Sequence, residues 1–313
     1  MATLTTGAPA PPRVAPKPAR KRRSWPALIP FIGPALGFYV MFLIIPLIGT
    51  IFLSLTDWNG FDFAQIHFVG ATNYTALAHD PVFVSALLHT LIFVAVAMVL
   101  KTVGSLAAAL ALNERLPLST MFRAIYVMPT VISMVVIGVV FDLALSPTLG
   151  LLNPLLKAIG LGHATNGLWL DDPHKVLPIL ILVDVWQNFG IYMLIYISAL
   201  VAIPDELGEA ARVDGASRWQ EIRRVTIPML RSTTGIVMLL SGIDSLKVFA
   251  TVYVMTRGGP NHASEVLSTW GYSQAFTEDN VGYGSAIMVV LLAIAFVFAF
   301  IWLRLFRSKA EDR

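Results

Sequence analysis

Charged side chains stand inside the long apolar stretches of this chain, where each costs about 2.5–3.5 kcal/mol at the centre of a membrane helix. Asp184, Asp244 and Lys247 are the main examples. Asp244 and Lys247 share a helix face at a spacing of three, and Asp184 and Lys247 fall at similar depths if both stretches are helical. The pattern favours either a polar cavity for a solute or an ion pair that fixes helix packing.

Side chains that can bind a polar solute accompany these charges. Gln187 and Asn188 lie one turn deeper than Asp184, near the expected depth of Asp244. Carboxylates and amides hydrogen-bond hydroxyl groups, and an aromatic ring can lie against the apolar face of a solute. The predicted substrate pathway contains Asp184, Trp186, Gln187, Asn188, Tyr192, Asp244 and Lys247. Lys101 lies in another apolar stretch, and the sequence names no partner for it.

A second segment rich in charge, EAARVDGASRWQEIRRVTIP, runs from Glu209 to Pro228 between two apolar stretches. Pro204 suits the first turn of a helix, and Gly215 allows a bend. Ser217 followed by Gln220 matches a capping box, so a second helix is expected to run to about residue 225 and stop before Pro228. Residues 203–228 are therefore predicted to form a helix, a turn and a helix.

Three roles are open to this loop. Ala210 and Ala211 leave room for another backbone, and Glu209 and the arginines offer charged contacts, which indicates a docking plug. A DNA-binding helix-turn-helix has a loosely similar turn around Gly215, but the loop's arginines are matched by carboxylates and both its ends are tethered to apolar stretches, so no nucleic-acid partner is expected. A solvated connector explains neither the paired alanines nor the bend.

The composition places these segments in a lipid bilayer. The chain is 56% hydrophobic and 13% charged, with a mean hydropathy of +0.72, which is too apolar for a soluble protein of this length. It has no cysteine, so thiol catalysis and disulfides are excluded. About six transmembrane helices of an all-α polytopic protein are predicted. They are 27–55, 86–112, 124–145, 177–202, 229–254 and 284–303.

Charge sets the expected orientation. Residues 1–24 are basic and rich in proline, typical of a disordered tail, and residues 25–313 form the predicted transmembrane domain. Of the 22 Lys and Arg residues, the loops on one side hold just three, Lys157, Lys175 and Arg257. The positive-inside rule then places both termini and the loop 203–228 in the cytoplasm.

The absence of two kinds of motif argues against ATP binding and metal binding by this chain. The chain lacks GxxxxGK[ST], so it cannot cradle ATP phosphates. Its six histidines fit no common metal motif. The segment from Thr256 to Pro260, TRGGP, has the glycines and proline of a tight outer loop.

Glu209-Ala210-Ala211, Gly215 and the ending at Pro228 resemble the EAA loop of binding-protein-dependent ABC importer permeases. The stretches SLTDWNG, FVGATNY, FRAIYVMP, VYVMTRGGP and GYGSA are similar to maltose-type carbohydrate permeases, in their shorter six-span version. The chain departs from that family at His89, where the family commonly has Asn.

This resemblance implies a type I ABC importer permease fold in the bacterial plasma (inner) membrane. The chain is then no enzyme and binds no cofactor, and ATP and magnesium belong to a cytoplasmic ATPase dimer. A second related permease would complete a heterodimer, and an external solute-binding protein would deliver a sugar or oligosaccharide. The alternatives are a glycerol phosphate or polyol permease of the same family and, in a different class, an ion-driven secondary transporter.

The resemblance also assigns residues to two contacts. The ATPase-coupling residues are Glu209, Ala210, Ala211, Asp214, Gly215, Arg218 and Pro228. The binding-protein contact consists of Thr256, Arg257, Gly258, Gly259 and Pro260.

Overall fold

A computed structural model describes residues 29–62, 64, 66–113, 119–160 and 167–307. The tail predicted for residues 1–24 lies outside the described residues. The chain divides into two compact units, Met1–Ile48 and Gly49–Arg313. All the site residues considered below belong to the second unit.

The described residues are helical almost throughout, and their extended pairing is a single bridge between Thr56 and Phe68. The predicted all-α class is confirmed. Two π-helical segments, Val40–Ile44 and Ile222–Thr226, interrupt the α-helices. The α-helices are α1 Ile29–Tyr39, α2 Ile45–Leu53, α3 Thr72–His79, α4 Pro81–Leu112, α5 Ser119–Val131, α6 Met134–Leu145, α7 Leu152–Ala158, α8 Val176–Val201, α9 Asp205–Val213, α10 Arg218–Glu221, α11 Ile227–Met229, α12 Arg231–Leu246, α13 Ala250–Met255, α14 Leu267–Phe276 and α15 Val281–Arg307.

Four described helical stretches are long and apolar enough to cross a membrane, or up to six if each of two bent pairs is one span. This agrees with the prediction of about six spans. The four are Ile32–Leu53, Pro81–Leu112, Val176–Val201 and Val281–Phe306. The bent pairs are Ser119–Val131 with Met134–Leu145, at 94°, and Arg218–Met229 with Arg231–Leu246, at 66°.

The third predicted span is broken rather than straight, because Pro129 lies just before the break and has no N–H for the helix. Side chains form hydrogen bonds with backbone carbonyls between this break and α8. The Thr130 hydroxyl donates to the Gln187 carbonyl at 2.7 Å, and the Gln187 amide donates to the Ile132 carbonyl at 2.9 Å. The break is thereby anchored to α8.

The fifth predicted span, 229–254, was too long. Helix α12 ends at Leu246, and the chain turns before α13 begins at Ala250. The Ser268 hydroxyl donates to the Val248 carbonyl in this gap, so a side chain from α14 replaces the missing helical hydrogen bond.

Helix α4 lies at the centre of the second unit. Its residues Phe93, Ala97, Lys101, Ser105 and Ala109 recur every four positions and are all fully buried. Small side chains at this spacing let neighbouring helices approach closely. One buried cluster joins α4 to α6, α8 and α13, and another joins it to α8 and α12. The stripe therefore carries Lys101 into the core.

The two ends of the unit differ. We call the end where α4 and α8 finish and α12 begins the hairpin end, and the end where α4 and α15 begin the far end. At the far end, the Asn73 amide donates to the Ser54 and Thr56 carbonyls at 2.9 and 2.8 Å. The Gly282 amide donates to the Trp58 carbonyl at 2.9 Å. The SLTDWNG, FVGATNY and GYGSA stretches thus meet as one packing network.

Candidate functional site

The charged side chains of the spans meet at Lys101. Its ammonium nitrogen lies 2.8 Å from Asp184 Oδ2 and 2.7 Å from Asp244 Oδ2. It also donates to the Ser245 hydroxyl at 3.2 Å. We call Lys101, Asp184 and Asp244 the lysine cluster; it joins α4, α8 and α12, and the Lys101 side chain is 0% exposed.

The two carboxylates of the lysine cluster differ in exposure. The Asp184 side chain is 8% exposed, whereas that of Asp244 is 46% exposed. Asp244 belongs to an exposed stripe on α12, with Ile236, Leu240 and Lys247. The cluster therefore opens to one surface of the unit, through Asp244.

Lys247 shares the exposed face with Asp244, as its spacing predicts. Within the described ranges it forms no ion pair, and both carboxylates pair with Lys101 instead. Lys247 follows the last residue of α12, where its backbone amide bonds to the Asp244 carbonyl at 3.2 Å. The charged group that fixes helix packing is thus Lys101.

The other predicted pathway residues divide between two neighbours of α8. Asn188 donates to both the carbonyl and the Oδ1 of Asp184, at 3.0 and 3.1 Å, and Tyr192 is buried one turn further along. Gln187 instead faces the break between α5 and α6, and its buried Oε1 has no hydrogen-bond partner among the described residues. Trp186 is exposed and packs edge-on to Phe141 with ring centres 5.4 Å apart.

The loop after α8 forms the predicted helix, turn and helix. Helix α9 ends in a Schellman motif: the Ala216 amide donates to the Ala211 carbonyl at 2.9 Å, and the Gly215 amide to that of Arg212 at 3.0 Å. Gly215 has φ +82°, a conformation that glycine adopts at no steric cost. We call residues 205–229 the hairpin.

The second arm starts at a capping box, as predicted. The Gln220 amide donates to the Ser217 hydroxyl at 3.4 Å, and the Ser217 amide to the Gln220 side chain at 2.8 Å. The arm does not stop before Pro228, however. After α10 the π-helical segment Ile222–Thr226 leads into α11, and the chain bends by 66° only after Met229. Pro228 stands in the short α11, directly after the π-helical segment and just before the bend.

The hairpin exposes most of the predicted coupling residues. Glu209, Ala210, Asp214 and Arg218 are exposed, and Ala211 is half-buried. Glu209 forms no hydrogen bond or ion pair with any described residue. A cavity of about 710 Å³ separates the hairpin from the ends of α4 and α8, and Asp205 and Glu209 are among its lining residues.

A buried carboxylate joins the two arms of the hairpin. Arg218 Nη1 lies 2.7 Å from Glu221 Oε1, and Arg212 Nε lies 3.2 Å from Glu221 Oε2. Burial alone raises the pKa of Glu221, but the hydrogen bonds from Arg212 and Arg218 outweigh it and hold that pKa below its usual value. We call these three residues the glutamate clamp.

The segment from Thr256 to Pro260 forms a tight loop at the far end. Arg257 and Gly258 have φ +49° and +83°, and the Gly259 amide donates to the Thr256 carbonyl at 2.8 Å. A Cβ on Gly258 would overlap the carboxylate of Glu265, which requires glycine there. Arg257 is exposed at the tip.

No group of three or more histidine, aspartate or glutamate side chains that could hold a metal ion occurs among the described residues.

Comparison with known proteins identifies the family. Residues 101–311 match the family described as the binding-protein-dependent transport system inner membrane component. The chain belongs to this family. The probable ABC transporter permease YurN of Bacillus subtilis is 39% identical, over 90% of this chain and 96% of that protein. The diacetylchitobiose uptake system permease NgcF of Streptomyces coelicolor is 31% identical, over 86% of this chain and 79% of that protein.

The fold matches a solved transporter of the same kind. A chain of a bacterial ABC transporter involved in the import of the acidic polysaccharide alginate superposes with a TM-score of 0.79 at 25% identity, covering 90% of this chain and 95% of that one. The apolar spans and the family together make this chain a multi-pass membrane permease.

Sequence reasoning noted Lys101 without its partners and did not identify Glu221. Lys101 stands on the stripe of α4 that contains the small residues Ala97, Ser105 and Ala109, but its partners lie 83 and 143 positions away along the chain. Glu221 had a weak signal: it stands three residues after Arg218, but its contact with Arg212 crosses the turn.

Proposed function

We propose that this chain is a membrane-spanning subunit of an ATP-driven importer of a sugar or oligosaccharide. An external solute-binding protein delivers the solute, and a separate cytoplasmic ATPase dimer binds ATP and magnesium. The hairpin transmits the ATPase's movements to the spans. The observation that carries this proposal is the hairpin at one end of the spans, which exposes Glu209 with no hydrogen bond or ion pair to any described residue.

Glu209 is the proposed contact with the ATPase. An exposed carboxylate that forms no ion pair or hydrogen bond with any described residue is available to a basic side chain of another protein. It stands on α9 beside the cavity, so a docking partner reaches it without unfolding the hairpin. The turn at Gly215 exposes Ala210 beside it, and the small side chain lets the partner's backbone approach.

The test reconstitutes the permease with its second permease, ATPase and binding protein in proteoliposomes. Glu209→Arg is expected to abolish solute-stimulated ATP hydrolysis and import, because the new guanidinium group repels the basic side chain proposed on the ATPase. Glu206→Gln is the matched control, since Glu206 is an exposed carboxylate on the same helix. Import that is vanadate-sensitive and unaffected by ionophores separates this mechanism from an ion-driven carrier. Full coupling in Glu209→Arg contradicts the proposed contact.

The lysine cluster and its surroundings are the proposed solute pathway. Lys101 pairs with one oxygen of the Asp244 carboxylate, and the exposed side of that carboxylate is left to act as a hydrogen-bond acceptor. Sugar hydroxyls are the matching donors. Asn188 and Tyr192 continue the polar face of α8 beside it.

We expect Asp244→Asn to lower import at least fivefold with unchanged membrane abundance. Leu240→Ala is the control, because it alters the same exposed stripe one turn away. Equal import by Asp244→Asn and wild type removes Asp244 from the pathway.

The exposed stripe on α12 supports a second permease subunit. A carboxylate that is 46% exposed on a spanning helix cannot face lipid without a large cost, so it requires water or another protein chain beside it. A related permease that presents its own spans there completes the pathway, and the pair is a heterodimer.

The solute class follows from the relatives. The relative NgcF is the permease of a diacetylchitobiose uptake system, and the solved transporter is involved in the import of alginate. Both solutes are saccharides. Calorimetric screening of the cognate binding protein against sugars, polyols and glycerol phosphate tests this class. Tight binding of glycerol phosphate alone contradicts it.

The hairpin end faces the cytoplasm in this scheme, as do both termini, because few Lys and Arg residues lie in the loops of the far end. The chain has no cysteine, so single cysteines report orientation directly. An impermeant thiol reagent added to intact cells is expected to spare Val213→Cys, which is 87% exposed on the hairpin, and to label Glu278→Cys at the far end. The reverse pattern inverts the topology.

A further inference from the structure

The glutamate clamp occupies a mechanically sensitive position. Glu221 ends α10, and the π-helical segment that follows it leads through α11 and a 66° bend into α12. Helix α12 carries Asp244 of the lysine cluster. The clamp therefore links the arm that carries Glu209 to the arm that leads into the spans.

The geometry of the clamp ties the two arms together. The Glu221 side chain lies across α9 at Gly208, where a Cβ would come within 2.9 Å of Glu221 Oε1. Arg212 approaches from the next turn of α9 with Nε and Nη2 at 3.2 and 3.5 Å from the two carboxylate oxygens. Arg218 approaches from α10 at 2.7 Å. A carboxylate that receives such forked donors has one preferred orientation.

Outside the clamp, the arms are connected by the turn at Gly215 and by the packing of α9 near the π-helical segment. A Cβ built on Gly215 meets nothing within 4 Å, and glycine is the most flexible residue. Without the clamp, α9 can pivot about this turn while α10 and the spans stay in place. Movement received by α9 is then absorbed in the turn.

We infer that Glu221 is a positioning residue that makes the two arms of the hairpin one rigid lever. It fixes α9, with Glu209, against α10, so that displacement of the exposed arm reaches α12 instead of opening the turn. This inference rests on the proposed coupling function and adds to it a residue outside the predicted coupling set. Arg212 and Arg218 act by holding its carboxylate.

Two measurements test the inference separately. The first follows the lever itself: spin labels on cysteines at Val213 and Trp219, which are 87% and 66% exposed, report the distance between the arms by electron paramagnetic resonance. In nanodiscs we expect a narrow distance distribution for the otherwise wild-type permease. We expect at least a doubling of its width in Glu221→Gln, because the amide keeps the shape but presents N–H donors to the arginines. An unchanged width overturns the clamp.

The second measurement is the amount of solute imported per ATP hydrolysed in the reconstituted importer. Glu221→Gln is expected to lower this ratio at least threefold while ATP hydrolysis continues, which a loss of folded protein does not produce. Glu206→Gln is the control and keeps the wild-type ratio. A broadened distance distribution with an unchanged ratio overturns the positioning role.

A charge reversal adds a direct test of the pairing. Arg212→Glu and Glu221→Arg each break the clamp, and the double variant restores an opposite-charge pair across the two arms. We expect both singles to broaden the distances and the double to recover at least part of the narrow distribution. Absence of any recovery overturns the assigned pairing.

Two further outcomes are informative. If Glu221→Gln does not fold, Arg212→Gln replaces it, since the Arg212 side chain is 60% exposed. Arg212 supplies the ion pair that crosses the turn, so the same two readouts then apply with changes of similar size. If the wild-type importer hydrolyses ATP without importing any solute, the proposed function fails. The distance measurement still decides whether the clamp exists.

Discussion

The lysine cluster and the glutamate clamp are two ion triads of opposite composition. One cation holds two carboxylates between the spans, and one carboxylate holds two guanidinium groups in the hairpin. In the lysine cluster the shared central ion is 0% exposed and one of its partners nearly so. In the clamp the central carboxylate is buried, but the arginines are 60% and 48% exposed.

This difference decides what each triad contributes. Lys101 and Asp184 are shielded from water, so neither can replace a lost partner by solvent, and only Asp244 has an exposed side. In the hairpin, the arginines can turn to solvent when the carboxylate is removed, so the ion pairs contribute less. The first triad is thus a condition for packing three spans, and the second sets the orientation of a surface element.

Removal of the central cation is the largest expected effect. Lys101→Met leaves the buried carboxylate of Asp184 without its cation, and we expect a loss of about 3–5 kcal/mol. The measurement is thermal unfolding of the detergent-solubilised permease.

The triple variant Lys101→Met, Asp184→Asn, Asp244→Asn is its control. With no ion left unpaired, it should recover most of the lost stability. If the triple variant is as unstable as Lys101→Met, loss of packing rather than of charge explains the effect.

Removal of the central anion from the hairpin is expected to cost less. Glu221→Gln loses hydrogen bonds between charged groups, which after allowance for the exposed arginines amounts to about 1–2 kcal/mol. Limited proteolysis of the hairpin measures this local loss, and Glu206→Gln is expected to stay within about 0.5 kcal/mol of wild type. If Glu221→Gln loses as much stability as Lys101→Met, the two triads do not differ in the way described above.

Acid should also weaken the clamp, because it protonates the Glu221 carboxylate. The pKa of Glu221 in the folded hairpin lies below the usual 4.5, because the arginine hydrogen bonds outweigh the effect of burial. The stabilisation is therefore complete above about pH 4.5 and is lost as the pH falls through the lower, folded-state pKa. The width of the distance distribution between labels at Val213 and Trp219 is expected to rise on acidification in wild type and to change little in Glu221→Gln. Equal responses in both contradict this origin.

The smallest expected effect concerns the turn. Gly215→Ala forces a Cβ into a left-handed conformation and should cost about 1 kcal/mol, with no added clash since nothing lies within 4 Å. Gly215→Asn, whose side chain tolerates this conformation, is expected to cost less. Proteolysis rates of the hairpin compare the two, and equal rates argue against strain in the turn.

Much of the helical architecture was predictable because its signals are local. The apolar stretches had the length that a bilayer requires, and the capping box at Ser217 and the glycine bend at Gly215 marked the hairpin turn. The 94° break after Pro129 and the end of α12 at Leu246 are less local. Both depend on side chains from other helices, Gln187 and Ser268, that satisfy the opened backbone.

The candidate sites also divide into residues with a local sequence signal and contacts that depend on other helices. Asp184 and Asp244 stood out because charges are rare in apolar stretches, and Asp244 and Lys247 do share a face. The sequence did not identify Lys101 as their common partner, since the three residues come from three helices and nothing local records which faces meet.

The amino-acid sequence by itself determined that this chain is a helical membrane permease with a bent, charged hairpin, because hydropathy, capping and glycine conformation act within a few residues. Only the tertiary structure decided that Lys101 holds both aspartates and that Glu221 joins the arms of the hairpin. Ion pairing in a medium of low dielectric depends on distances of about 3 Å between atoms from different helices, and helix packing alone sets those distances.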